Sequence, residues 1–324
     1  MKILIIGGAG MVGRKLAQKL AATGELGGKT ISALTLQDVV MPTAPAGAGF
    51  PVKTLVGDLS VPMEAAKLVA DKPDVIFHLA AIVSGEAELE FDKGYRINLD
   101  GTRYLLEAAR HAGNKPRIVF TSSIAVFGAP FPDAIGDEFF NTPLTSYGTQ
   151  KTIGELLVSD YTRKGFIDGV SIRLPTICVR PGTPNKAASG FFSNIIREPL
   201  AGHEAVLPVA EDVRHWHASP RAAVGFLTHA ATIAGDKIGP RRALTMPGLS
   251  VTVGEQIAAL KKVAGDKVVA RIKRVPDAAI TAIVAGWPRN FSAKRAEGLG
   301  FKAEASFEDI IRIHLDDELG GRIA

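Results

Sequence analysis

The sequence predicts an α/β fold: a doubly wound parallel sheet followed by a smaller, mixed C-terminal region. Three observations carry that prediction. Over the first 180 or so residues, short apolar β-branched runs alternate with segments of helical period, the pattern of a parallel sheet covered on both faces. A glycine-rich turn, GGAGMVG, stands directly between the first run and the first helical segment. Beyond about residue 180 the alternation gives way to a loop rich in Pro, Gly, Asn and Ser, and then to shorter helices.

Taken in order, the strands are expected at KILIIG (2–7), ISALTL (31–36), VKTLVG (52–57), DVIFHLAA (74–81), RIVFTSS (117–123) and GVSIRLPTI (169–177). Val12, Leu16 and Leu20 form one helical stripe between them, Leu99, Leu105, Leu106 and Ala109 a second, and Ile153, Leu156, Leu157 and Tyr161 a third. Each segment is long enough to cross from one strand to the next. MPTAPAGAGFP (41–51) reads as a flexible loop, and Thr252 with Glu255 and Ser306 with Asp309 are helix-capping signals.

Composition narrows the function. The chain has 324 residues, 46% of them hydrophobic, enough for a sizeable core in one large or two smaller domains. Its one cysteine, Cys178, excludes an intrachain disulfide and a thiolate metal cage. The apolar opening is too short for a signal-peptide core and no apolar run approaches membrane-helix length, so the protein is expected in the cytoplasm, with no membrane partner. The net charge of +5 is spread among acids without a basic run, which argues against nucleic acid and suits a small anionic substrate.

In GGAGMVG, Gly7 allows a tight turn, Gly10 lets a pyrophosphate approach the backbone and Gly13 lets the helix pack closely on the strand. The helix N-terminus then faces the anion. Asp38, after the second strand, is placed to accept hydrogen bonds from ribose hydroxyls and to repel a 2′-phosphate, which favours NAD over NADP. Asp58, in GDL, is placed either to contact the adenine end or to cap a helix. The expected division is a dinucleotide-binding part, residues 1–180, and a smaller substrate region, 181–324, with the chain crossing back to the sheet near 206–247. In SYGTQK, Tyr147 and Lys151 are four apart and share a helix face, where a nearby ammonium favours a phenolate base. Ser123, ending the fifth strand, is positioned to orient a reacting oxygen.

These residues, with HLAA (78–81), NLDGT (98–102), TSSIAVFG (121–128) and RLP (173–175), make the chain similar to the extended short-chain dehydrogenases/reductases, which include sugar-nucleotide epimerases and dehydratases. The resemblance covers nearly the whole chain and implies a Rossmann-like NAD domain. It implies Ser123, Tyr147 and Lys151 as the catalytic trio and Met11, Val12 and Leu59 as further cofactor contacts, with Ala80, Asn98 and Pro175 along the nicotinamide side. Ile6 and Phe127 depart from the family's usual Thr and Tyr. Ile124 and Ala125 stand where dehydratases carry an acid, so epimerases and simple dehydrogenases remain. The resemblance also implies a homodimer through the helices containing Tyr95 to Arg110 and Tyr147 to Tyr161.

The segment VRHWHASP (213–220) lacks the further ligands a metal at His215 and His217 needs, and no metal is expected. As a strand, it puts Arg214 and Trp216 on one face and the two histidines on the other. The resemblance places an Arg from this segment in the substrate site, so Arg214 is expected to face inward, with an ion pair to a loop acid as the alternative; the histidines are given no catalytic role. The loop 178–199 adds Arg180, Asn185, Lys186 and Ser189, and Ser84 follows HLAA. These segments are most similar to a branch of the family that oxidises the C2 hydroxyl of a four-carbon sugar acid with NAD; a cofactor-sensing protein needs no such trio.

Overall fold

The structure is a computed structural model that describes residues 1–182 and 188–324. In chain order the strands used below are β1 (Lys2–Ile6), β2 (Ala33–Asp38), β3 (Val52–Val56), β4 (Val75–His78), β5 (Arg117–Ser123), β6 (Asp168–Leu174), β7 (Thr176–Ile177), β8 (Ala205–Leu207), β9 (Arg214–Ala218), β10 (Ala243–Thr245), β11 (Leu249–Thr252) and β12 (Ile272–Arg274). The helices are α1 (Met11–Thr23), α2 (Pro62–Val69), α3 (Gly101–Ala112), α4 (Ser146–Arg163), α5 (Gly190–Leu200), α6 (Pro220–Thr232), α7 (Val253–Ala264) and α8 (Phe307–Leu319).

Among the described residues the main sheet has seven strands, ordered β10-β6-β5-β4-β1-β2-β3, and every pairing is parallel. The order reverses at β1, so the crevice beyond the carboxyl ends of β1 and β4 is the place where such sheets bind ligands. Both faces are covered, which is why the strands read as continuous apolar runs. Ile3, Ile5, Leu34, Leu36 and Phe77 meet Leu16 and Leu20 of α1 and Phe226 and Leu227 of α6 on one face. Leu4, Ile6, Ile76, Ile118 and Phe120 meet Leu68 of α2, Leu105 and Leu106 of α3 and Val158 of α4 on the other.

The C-terminal region has its own core, in which Phe192 and Ile195 of α5 pack with Ile257 and Leu260 of α7 and Ile310 and Ile311 of α8. Both capping signals form: Thr252 and Glu255 make a reciprocal capping box on α7, and Ser306 accepts from Asp309 N at the start of α8. The return to the sheet is made by α6 and β10 alone. Strands β8 and β9, inside the span expected to return, belong to small sheets: β8 pairs with β12, and β9 lies between β7 and β11.

Two of the strand boundaries that differ from the sequence reading have an identifiable backbone cause. The second strand begins at Ala33 because Ile31 N is bonded to Gly24 O and Ser32 N to Met1 O. The run GVSIRLPTI breaks at Pro175, which has no N–H to give a ladder. There β6 ends and β7 passes to the small sheet beside β9.

Arg117 fastens α6 to the sheet. It is buried, and it donates through Nε and Nη2 to Ala230 O (2.9 and 2.6 Å), through Nη2 to Ile233 O (2.9 Å) and through Nη1 to Asp168 (2.7 Å). Arg117→Met keeps the stem but leaves two carbonyls without this donor, so unfolding in urea should show a loss of about 2–4 kcal/mol. A loss under about 0.5 kcal/mol would mean that Arg117 ties nothing together.

Candidate active site

A cavity of about 590 Å³ opens at the carboxyl ends of the central strands and runs from the glycine-rich turn to the C-terminal region. Its walls include Gly7, Gly10, Met11, Val12, Gly13 and Ser84, then Ser123, Tyr147, Lys151 and Pro175, and finally Arg180 and Ser189. Most residues expected at the site are thus brought to one cleft. Asn185 and Lys186 lie outside the described residues.

The turn fits a dinucleotide. A Cβ on Gly13 would lie 2.2 Å from Gly7 O, so only glycine permits this contact, whereas a Cβ on Gly10 would meet only Gly7 O, at 3.4 Å, and otherwise face open space. Gly10 is the N-cap of α1, which has neither a side-chain cap nor an acid in its first turn. Its N–H groups are therefore left for an anion. Asp38 ends β2 half-buried, and its carboxylate accepts from Ala9 N (2.9 Å) and Val39 N (2.7 Å), which fixes it beside the turn.

Asn98, Leu59, Ala80 and Asp58, expected at the cofactor, lie outside the cleft walls, as Asp38 does. Asn98 is buried away from the cleft: it accepts from Ile82 N (2.9 Å) and donates to Ile82 O (3.2 Å) and Gln150 Oε1 (2.8 Å), so it braces the segment after β4. Leu59 is buried in the core under α2 and α3, and Ala80 N is bonded to Ile6 O. Neither Leu59 nor Ala80 is a cleft-wall residue. Asp58 also stands off the cleft; its carboxylate accepts from Ser60 N (2.9 Å), Ser60 Oγ (2.6 Å) and Arg96 (3.2 Å), while α2 begins after Val61.

Arg214, expected to face inward, also lies outside the cleft walls. Alternation along β9 holds, but the opposite face looks inward: His215 lines the cleft, while Arg214 donates to Ser250 O (2.7 Å) and pairs with Glu255 (3.2 Å). Glu255, the partner acid, is the same residue that closes the α7 capping box. Trp216 turns with Arg214, donating to Met246 O (3.1 Å) and packing with Phe127 and Phe291. Behind His215, His217 is fully buried against Gln256 (2.8 Å). No local sequence signal marks which face turns inward, nor that Trp287 and Pro288 close the same wall.

Around the trio, β5 delivers Ser123, whose Oγ accepts from Ala125 N (3.1 Å). Helix α4 starts at once beside it, capped by Thr145, whose Oγ1 accepts from Gly148 N (3.1 Å). A Cβ on Gly148 would lie 2.2 Å from Ala125 O, so glycine there lets α4 bring Tyr147 against the Ser123 turn. One turn on, Lys151 is buried, donates to Thr121 O (2.8 Å) and sits 5.7 Å from the Tyr147 ring centroid. Burial pushes the Tyr147 phenol up to about 12, against the hydrogen bond from Ser123 and the charge of Arg180. Burial pulls the Lys151 ammonium down to about 8, opposed by Glu155.

Arg180 approaches the trio from the far side. It is half-buried, donates to Ile177 O (3.1 Å) and Ser189 Oγ (2.9 Å), and has no carboxylate partner among the described residues. Among the described residues no group of three or more His, Cys, Asp or Glu is placed to hold a metal ion.

Residues 3–224 match the NAD dependent epimerase/dehydratase family. The chain belongs to that family. It is 48% identical over 321 residues to a D-erythronate dehydrogenase of Cupriavidus necator, covering 98% of each chain. It is 42% identical over 319 residues to a D-erythronate dehydrogenase of Haemophilus influenzae, covering 98% of this chain and all of the other. Among solved structures it is similar to one described as a nucleoside-diphosphate-sugar epimerase from Agrobacterium tumefaciens. That match has 67% identity and a TM-score of 0.98, over 100% of this chain and 96% of that one. The chain is an NAD-dependent oxidoreductase of this family.

A Tyr147 phenolate as base predicts turnover that rises with pH from neutrality toward alkaline values. Tyr147→Phe removes the base and keeps the ring, and steady-state turnover should fall roughly 10²-fold or more with NADH affinity retained. Lys151→Met removes the neighbouring cation, so the rising limb should move to higher pH. A limb that stays in place in Lys151→Met would separate Lys151 from the ionisation of Tyr147.

Proposed function

We propose that the chain oxidises the C2 hydroxyl of D-erythronate, with NAD, to 2-dehydro-D-erythronate. The observation that carries the substrate class is Arg180: a guanidinium in the cleft wall, close enough to Tyr147 for each charge to act on the other, and free of any described carboxylate. A carboxylate beside the reacting carbon satisfies it. Both D-erythronate dehydrogenases are matched over at least 98% of their length, so their activity is the fitting one for the whole chain.

In the proposed reaction Arg180, with Ser189 beside it, binds the substrate carboxylate, and Ser123 hydrogen-bonds the C2 oxygen. Tyr147 takes the hydroxyl proton, and Lys151 holds that phenolate by its charge. Bound NAD supplies the hydride acceptor at C2 and a cationic ring. Met11, Val12 and the glycine-rich turn hold the pyrophosphate side, and Asp38 meets the adenosine ribose. The protein works in the cytoplasm as a homodimer paired through α3 and α4, with residues 1–180 as the NAD-binding part and 181–324 as the substrate region. None of the described helices is long and apolar enough to cross a membrane. A sugar-nucleotide epimerase is the second reading, drawn from the name of the Agrobacterium protein. Net reduction of NAD by D-erythronate, followed by absorbance of the reduced cofactor, separates the two, since an epimerase returns its hydride. No reduction with D-erythronate, and reduction with another aldonate or a uronate, would reassign the substrate.

Arg180→Ala should weaken apparent affinity for the acid roughly 10- to 150-fold, the scale of a lost charge-assisted contact, and Arg180→Lys should recover only part of it. Arg214→Ala should leave the KM for the acid within about twofold, because its contacts lie outside the cleft. The reverse pattern would return the anchor to Arg214.

With Asp38 at the ribose, NAD should be preferred over NADP, and Asp38→Ala should narrow the ratio of kcat/KM values. Equal use of both cofactors by the unmodified protein would remove Asp38 from that role.

A further inference from the structure

Among the described residues of the cleft wall, beyond the groups given to the carboxylate and to the reacting hydroxyl, a polar chain is built from β7, β9 and the segment that carries Pro288. His215 Nδ1 is 2.9 Å from Pro288 O, and His215 Nε2 is 2.8 Å from Thr176 Oγ1. A carbonyl oxygen accepts only, so Nδ1 is the nitrogen that carries the hydrogen. The ring is held in that orientation: it is 3% exposed, stacks on Phe192 at 5.3 Å and 6°, and meets Trp287 at 5.3 Å. Burial, reinforced by the nearby charge of Arg180, pulls the imidazole down to about 4 against the pull of the Pro288 carbonyl, so it is neutral at pH 7. A neutral ring with hydrogen on Nδ1 offers a bare lone pair at Nε2. Thr176 must therefore give its hydroxyl hydrogen to His215. What remains of Thr176 Oγ1 is acceptor only, on a half-buried residue that lines the cleft together with Ser123, Tyr147 and Arg180.

We propose that Thr176 is a specificity-determining residue: its acceptor-only oxygen takes a hydrogen bond from a substrate hydroxyl other than the one oxidised, with His215 as the positioning residue that fixes this polarity. The assignment deepens the sugar-acid reading above and rests on it. It gives the site two chemically opposite ends. Arg180 and its neighbour Ser189 favour an anion, whereas Thr176 repels a carboxylate or carbonyl oxygen and accepts a hydroxyl. A polyhydroxy acid thus enters in one orientation, and a 2-hydroxy acid with a bare alkyl chain leaves the Thr176 oxygen without a partner.

The test compares D-erythronate with 2,4-dihydroxybutanoate, 2,3-dihydroxybutanoate and 2-hydroxybutanoate, which lack the C3 hydroxyl, the C4 hydroxyl and both. Thr176→Val should lower kcat/KM for D-erythronate roughly five- to tenfold, mainly through KM, the scale of one neutral hydrogen bond. For 2-hydroxybutanoate the change should stay within about twofold, and Thr176→Ser should restore the D-erythronate value. The single-deoxy acid that behaves like 2-hydroxybutanoate identifies the hydroxyl. His215→Phe keeps a stacking ring without an acceptor and should shrink the preference for D-erythronate over 2-hydroxybutanoate while NADH affinity, read by fluorescence, is unchanged. Thr176→Ala replaces the valine variant if that one fails to fold. Equal losses on all four acids, no loss on D-erythronate, or a loss of NADH affinity in Thr176→Val would each overturn the assignment. Failure of the unmodified protein to turn over D-erythronate counts against the activity reading alone, and the same variants are then judged on whichever C4 to C6 hydroxy acid is oxidised. If none is oxidised, both readings fall.

Discussion

A buried carboxylate on α4 holds the catalytic helix in place. Glu155 is 3% exposed, and its two oxygens accept from Ser122 Oγ (2.5 Å), Asn141 Nδ2 (2.9 Å) and Arg173 Nε and Nη2 (2.9 and 2.7 Å). Such a charge is tolerable inside a protein only when paired and fully hydrogen-bonded, and once so paired it is costly to disturb. Ser122 belongs to β5 and Arg173 to β6, so the pair fixes α4 against two neighbouring strands. Tyr147, Lys151 and Glu155 recur every four residues and so share one stripe of the helix. Fixing the last of them sets the rotation that presents the first two to the cleft. The same negative charge opposes the fall in the Lys151 pKa that burial causes. One ion pair therefore serves both the geometry and the charge state of the site.

The parallel sheet was legible because strands covered on both faces read as near-continuous apolar runs, and β1 runs ILII after an exposed Lys2 for that reason. The glycine-rich turn and the Tyr147–Lys151 spacing were legible because each is local: steric permission in one case, helical period in the other. Boundaries were less so. The start of β2 depends on Ser32 being bonded to the first residue of the chain, a contact across more than thirty positions that no window of sequence contains. Pro175 was visible in the sequence, but its consequence, a strand that changes sheets, depends on β9 being there to receive β7.

The substrate end was the least legible part. Period two along β9 separates Arg214 and Trp216 from the histidines, but periodicity says nothing about which set faces inward. The choice is made by residues distant in sequence: Phe192 stacks on His215 and Trp287 meets it at a tilt, while Phe291 with Phe127 receives Trp216. An arginine beside Glu255, which is already committed to a helix cap, has a ready partner outside the cleft. Among the described residues, Arg180, three residues past the end of β7, is the cleft-wall guanidinium without a carboxylate partner.

The path of the chain also governs how occupancy and folding are linked. The backbone leaves the main sheet at Pro175, builds the wall that carries His215, and comes back through α6 and β10, which pairs with β6. Since β10 takes the edge of the main sheet beside β6, the chain crosses between the two regions more than once, and the wall carrying His215 is tethered to the sheet at both ends. A ligand that touches both walls then draws on both regions for its affinity: at a hundredfold excess over its Kd it adds about 2.7 kcal/mol to the free energy of unfolding the structure that binds it.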